Sequence, residues 1–154
     1  MPGEGPIDPR AMLIGEAPGR TEDATGRPFM GFSGRFLNEV LAEVGIKREE
    51  IFITSSIKCL PVPTGKPQLV SIEACNPWLQ AQLGLVNPRF ICLIGGVAAK
   101  TVLGMDKVSE FRGKIVERDG RIILPTFHPA AARRFPKLGK LFREDFRLMA
   151  RYTS

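Results

Sequence analysis

The stretch "RFICLIGGVAAKTVLG", residues 89–104, decides how the chain folds. Five apolar residues, Phe90 to Ile94, run without a polar break and stop at Gly95-Gly96. A run that short and continuous fits a strand buried on both faces, as in parallel sheets covered by helices. The "VAAKTVLG" that follows reads as a short helix ending at Gly104.

The same alternation extends to either side. "AMLIG" (11–15) and "EIFITSS" (50–56) are two further strands. Between them Phe36, Leu37, Val40, Leu41 and Val44 recur at helical spacing, with Ser33 placed to cap the start and Gly45 the end. Before that helix, "EAPGRTEDATGRPFMGFSG" (16–34) reads as one long Gly/Pro-rich loop, and loops of that length in a compact domain usually carry function. Beyond the proline-rich loop "IKCLPVPTGKP" (57–67), Leu69, Ile72, Cys75 and Leu79 point to a helix. Asn76-Pro77 is expected to divide it, as the cap and first residue of a second helix. "GKIVERDGRIILP" (113–125) sets Asp119-Gly120 between apolar runs, a hairpin signal. Leu138, Leu141, Phe142, Leu148, Met149 and Tyr152 mark one side of a C-terminal amphipathic helix. Strands alternating with helices specify an α/β fold: a three-layer α/β/α sandwich around a mostly parallel sheet, expected as a single domain over residues 1–154.

Composition narrows the class. With 44% hydrophobic and 25% charged residues the chain is an ordinary globular protein, not a disordered one. No apolar stretch approaches the roughly eighteen residues of a membrane span, and "MPGEGPIDPR" lacks the apolar region of a signal peptide. A cytoplasmic protein that engages no membrane is expected. Lys and Arg total 22 against 16 acids, a net charge of +6 that suits a phosphate-backbone partner. Much of the excess falls after residue 112, close to His128, the only histidine. Three cysteines do not make an even disulfide framework, and Cys92 reads as a strand core residue.

In parallel sheets ligands bind at the carboxyl ends of the strands. "GEAPG", "TSSIK", "IGG" and "TFHP" all begin at such ends, so His128 belongs to the edge of the site. A lone histidine there has two readings, a loop cap or a working side chain. "GEAPG" lacks the G-x-G-x-x-G spacing of a dinucleotide fingerprint, which removes that cofactor class. No nucleophile elbow or second histidine supports an α/β hydrolase.

Taken in order, "LIGEAPGRTED" (13–23), "GRPFMGFSGRFL" (26–37), "GIKREEIFITSSIKC" (45–59), "EAC" (73–75), "PRFICLIGGVAA" (88–99), "RGK" (112–114) and "PTFHPAAARR" (125–134) resemble a uracil-DNA glycosylase of the iron–sulfur branch, family four. The resemblance covers nearly the whole chain. It implies hydrolysis of the N-glycosidic bond of uracil, or another deaminated base, in DNA by a monofunctional, monomeric base-excision enzyme. Such enzymes draw the base out of the stack into a snug pocket. On this resemblance His128 hydrogen-bonds uracil O2 as the base leaves, and Glu16 orients the attacking water. Phe29 stacks on the flipped base, and Gly15 and Ala17 bring main chain close to it. Glu16 could equally cap backbone N–H groups of its own turn. The DNA-binding positions are Ser33, Ala132, Arg133 and Arg134, the last three lying where relatives carry an apolar wedge.

Two departures from the family pattern stand out. Ser55 occupies the place of an asparagine that reads the Watson–Crick edge of uracil, and a hydroxyl offers less than an amide. Ser55, with water or Ser56, reads uracil less tightly, admits another deaminated base, or marks a non-catalytic DNA-binding relative. The second departure is the [4Fe–4S] cluster that the resemblance implies. Cys59 and Cys75, sixteen positions apart, match two of its four ligands, and no early C-x-x-C pair is present. Two cysteines do not complete a Cys₄ site, so no cofactor or metal is expected unless ligands come from outside this sequence. Otherwise Cys59 and Cys75 are neighbouring thiols or a disulfide.

Overall fold

The computed structural model describes residues 1–63 and 65–154; Thr64, in the loop read at 57–67, lies outside them. Its apolar runs form the strands β1 (Ala11–Gly15), β2 (Ile51–Ser55), β3 (Phe90–Ile94), β4 (Val116–Arg118) and β5 (Arg121–Thr126). They pair in the order β2-β1-β3-β5-β4, parallel throughout except for the β4–β5 hairpin. Asp119 and Gly120 turn that hairpin with φ of +53° and +75°, the geometry a two-residue Asp-Gly loop supplies.

Alternate residues of each strand feed two separate cores. Ala11 and Leu13 pack beneath α2 (Phe32–Glu43), α6 (Pro129–Arg134) and α7 (Pro136–Tyr152), where Phe142 stacks on Phe146 with centroids 4.4 Å apart. Met12 and Ile14 face the other way, against Leu79 and Leu83 of α3 (Leu69–Val86) and Ala98 and Leu103 of α4 (Gly96–Leu103). Two helical layers therefore sandwich the sheet, as the strand–helix alternation predicts.

Three local expectations differ. Pro77 does not start a new helix; α3 runs unbroken through it. Pro77 is exposed while Leu79 and Leu83 are buried, so packing on the inner face outweighs the one backbone hydrogen bond the ring removes. The N-cap of α2 is Gly31, which leaves Ser33 inside the first turn. The long loop at 16–34 contains a short helix, α1 (Arg20–Thr25), and a further turn, α5 (Val108–Phe111), precedes β4. Among the described residues no helix is long and apolar enough to cross a membrane.

Candidate active site

A cavity of about 740 Å³ opens where β1, β2 and β5 end. Glu16 and Ala17 follow β1, Ser55 ends β2 and His128 lies two residues past β5, so the parallel sheet delivers all four to one place. Phe29 and Glu22 come from the 16–34 segment, and Leu60–Pro63 form the facing wall.

His128 is both a cap and a cavity residue. It is the N-cap of α6, and its Nδ1 accepts the Ala130 N–H at 3.1 Å. Burial lowers its pKa from 6.5 to about 4, against the weaker opposing pull of the Glu22 carboxylate. At neutral pH the ring is therefore uncharged, and with Nδ1 accepting, its one proton sits on Nε2. The end of β5 is itself anchored. Thr126 donates its hydroxyl to buried Asp145 at 2.6 Å, and Arg112 of the "RGK" motif pairs with the same carboxylate.

The 28–31 turn carries Phe29 in the left-handed region, φ +51°, a costly conformation for a bulky residue. Two side chains that the sequence reading did not single out hold it there. Glu22 accepts N–H groups from Gly19 (3.0 Å), Met30 (2.8 Å) and Gly31 (2.9 Å). From the other side Arg48 donates to the carbonyls of Pro28 and Phe29, the latter at 3.1 Å. The result is a phenyl ring tilted 38° to the His128 ring with centroids 5.9 Å apart. Glycines make the approach possible. A Cβ on Gly15 would lie 2.7 Å from Phe29 Cζ, and one on Gly34 would overlap the Phe29 carbonyl. Only the G-x-x-E spacing from Gly19 to Glu22, a capping-box pattern, hints at Glu22 in the sequence.

Glu16 is half-buried in the cavity wall, and desolvation raises its carboxyl pKa above the ordinary range. A carboxylate that is costly to keep charged is a better proton acceptor than one at the surface.

Ser55 is 2% exposed, and its hydroxyl donates to the Ile57 carbonyl at 2.5 Å. Its oxygen is thereby left as an acceptor toward the cavity. Ser56 turns away, donating to the Gly15 carbonyl at 3.1 Å, and does not line the cavity. Behind them the Lys58 ammonium donates to Thr54 Oγ1, the Ser55 carbonyl and Gln82 Oε1, and burial lowers its pKa to about 8.

Other expected positions fall as follows. Gly15 is buried beneath Phe29, outside the cavity lining, whereas Ser33 lines it. Ala132, 2% exposed, is part of the core under α7 and cannot meet DNA; Ala130 and Ala131 stand at the cavity instead. Arg133 and Arg134 are exposed in the last turn of α6.

Cys59 and Cys75 are free thiols, the first exposed and the second half-buried, with the Cys75 sulfur accepting the Lys58 N–H at 3.4 Å. Among the described residues no group of three or more His, Cys, Asp or Glu converges as a metal site. The side chains present do not fit a four-cysteine cluster.

Comparison with known proteins agrees with this geometry. The uracil DNA glycosylase superfamily matches residues 2–150. A Type-4 uracil-DNA glycosylase of Pyrobaculum aerophilum is 38% identical over 156 residues, covering 94% of this chain and 79% of the relative. That of Thermotoga maritima is 40% identical over 131 residues, covering 83% and 68%. A Type-5 uracil-DNA glycosylase of Thermus thermophilus is 31% identical, covering 95% and 75%. With its sheet, strand-end cavity and sequence all in agreement, this chain belongs to the uracil DNA glycosylase superfamily.

Proposed function

We propose that the protein removes uracil, or another deaminated base, from DNA by hydrolysing its N-glycosidic bond, as a monomer whose 154 residues form one catalytic domain. The observation that carries this is the convergence of Glu16, Phe29 and His128 on one cavity. Phe29 offers its ring to the face of an extruded base. As the bond from C1′ to N1 breaks, its electron pair passes to the base and negative charge gathers on O2. The neutral Nε2–H of His128 donates to that oxygen, an interaction that strengthens as charge develops. A water held by Glu16 attacks C1′ of the sugar cation, and its proton passes to the carboxylate.

The excess of basic residues after residue 112, with Arg133 and Arg134 exposed on the helix whose Ala130 and Ala131 line the cavity, supports DNA as the partner. One observation favours a second reading. Ser55 spends its only donor on its own backbone, so nothing on β2 donates to a carbonyl of the base. A DNA-binding relative without base release is consistent with that loss. Purified protein should be tested for base release from uracil-, hypoxanthine- and xanthine-containing oligonucleotides, single- and double-stranded. Release of any of the three supports the enzyme; release of none, with DNA still bound, supports the second reading.

A further inference from the structure

Phe32, the first residue of α2, leaves 65% of its surface exposed. Two cations attend the ring. The Arg35 guanidinium lies 5.2 Å from its centroid and that of Arg133 lies 5.0 Å away. Ser33, the next residue along α2, lines the cavity, as do Ala130 and Ala131 on the helix that carries Arg133. The ring, itself outside the cavity lining, therefore stands next to lining residues of both helices, between α2 and α6. Phe135, the other exposed phenylalanine, has a single guanidinium over it, and neither of its chain neighbours lines the cavity.

We propose that Phe32, flanked by Arg35 and Arg133, is a stacking platform for the nucleobase next to the one held in the cavity. The proposal rests on the reading of this cavity as a DNA-lesion site. An exposed ring between two guanidiniums is a poor surface for an apolar protein partner, because docking would strand both charges. It suits a strand that offers π faces and phosphates together: the base stacks on phenyl while a guanidinium swings to the backbone. The platform also answers a deficiency across the mouth. Past His128, α6 lines the cavity with only Ala130 and Ala131, and Ala132 is buried, so no bulky apolar side chain there fills the gap an extruded base leaves. Phe32 supplies that area from the opposite helix. Because it stacks beside the gap without having to pry a duplex apart, it should favour single-stranded or already unpaired DNA.

The test uses full-length wild type, Phe32→Ala, Phe32→Leu and Phe32→Trp, each checked for unchanged thermal unfolding. Short single strands carry 2-aminopurine beside a uracil, with a second set carrying thymine in place of uracil. Wild type and Phe32→Trp should quench the 2-aminopurine on one side of the uracil. Phe32→Ala and Phe32→Leu should not, and should bind roughly five- to a hundredfold more weakly, the range for losing one base–aromatic stack. The slope of log affinity against log salt should stay the same, since no phosphate contact is removed. Equal quenching and equal affinity in all four proteins overturn the platform. Uracil release measured on the same strands separates the two ideas: no release by wild type, with Phe32-dependent quenching on the thymine strands, defeats the glycosylase reading and leaves the platform standing.

Discussion

The two walls of the cavity are held very differently. The wall from residue 16 to 34 is fixed from outside itself: Glu22 and Arg48 grip the 28–31 turn on both flanks. The wall at the end of β2 is fixed from within, with Ser55 bonded to the carbonyl two residues on. The first wall holds the Phe29 ring in a strained pose near His128. The second has surrendered its donor to keep its own turn. Pre-organisation is concentrated around Phe29, and the β2 wall offers the cavity no free side-chain donor from Ser55.

The largest expected effect comes from His128, the proposed donor to the leaving base, beside which the first wall sets Phe29. His128→Ala should slow single-turnover base release by about a hundred- to a thousandfold, the usual cost of losing one oxyanion-type donor. DNA affinity should change little; an unaltered rate would remove His128 from the mechanism. Next is Glu22. Glu22→Ala frees three main-chain N–H groups and lets the Phe29 turn relax, and a misplacement of about 1 Å near reacting atoms can cost roughly a hundredfold. Hydrogen exchange at Met30 and Gly31 should quicken in the same variant. Slow release with unchanged exchange would show that Glu22 acts in some other way than by holding the turn.

Ser55→Asn tests the second wall directly. An amide offers a donor and an acceptor where the hydroxyl now offers only an acceptor, and a good bidentate contact is worth about 1–3 kcal/mol, roughly ten- to a hundredfold. Uracil release should rise by that factor if the cavity is a uracil pocket weakened at one contact. A fall in release of uracil together with a loss on another base would instead identify a pocket shaped for that other base.

The smallest effects are those of pH. Glu16 takes a proton above the ordinary carboxylate range, so release should fall as pH drops through that raised value, while His128 stays neutral down to about 4. Glu16→Gln should be slow but should lack this acid limb. A limb that persists in Glu16→Gln belongs to another group. For stability the sign follows from His128. Its folded pKa of about 4 lies below the 6.5 of the unfolded chain, so between those values the unfolded state binds more protons. Stability should therefore decline as pH falls from 6.5 toward 4, and His128→Ala should flatten that decline in denaturant melts.

Much of this architecture is legible in the chain. Continuous apolar runs closed by glycine mark β1 and β3, and Asp119-Gly120 marks the hairpin, because each is a local choice with one good solution. Pro77 misleads because the rule for proline is also local, whereas the buried Leu79 and Leu83 that keep α3 whole are a tertiary matter. The helix α1 escapes notice since none of its residues is buried, so it shows no apolar period. Within the site, Glu16, Phe29, Ser55 and His128 are legible as motif positions delivered by strand ends and one loop. Arg48 is not, since it acts on carbonyls nineteen and twenty residues back, and no spacing rule predicts a partner of that kind. Nor is the direction of the Ser55 hydroxyl: residue type shows a donor, and only the fold shows that the donor is taken.

The bond from the Ala130 amide to His128 Nδ1 has a consequence for how this protein can change. In water a neutral imidazole divides its proton between two nitrogens; here the start of a helix makes the selection before any substrate arrives. On the mechanism proposed above, one side chain thus answers to two masters, the helix that needs an acceptor and the reaction that needs a donor. Serine at position 128 could satisfy the first, since it is among the better helix caps, but its side chain is too short to put a donor where Nε2 now stands. Random variation screened for folded protein alone would pass it freely, and a lineage drifting that way would keep its shape, its charge and its hold on DNA while its catalysis fell silent.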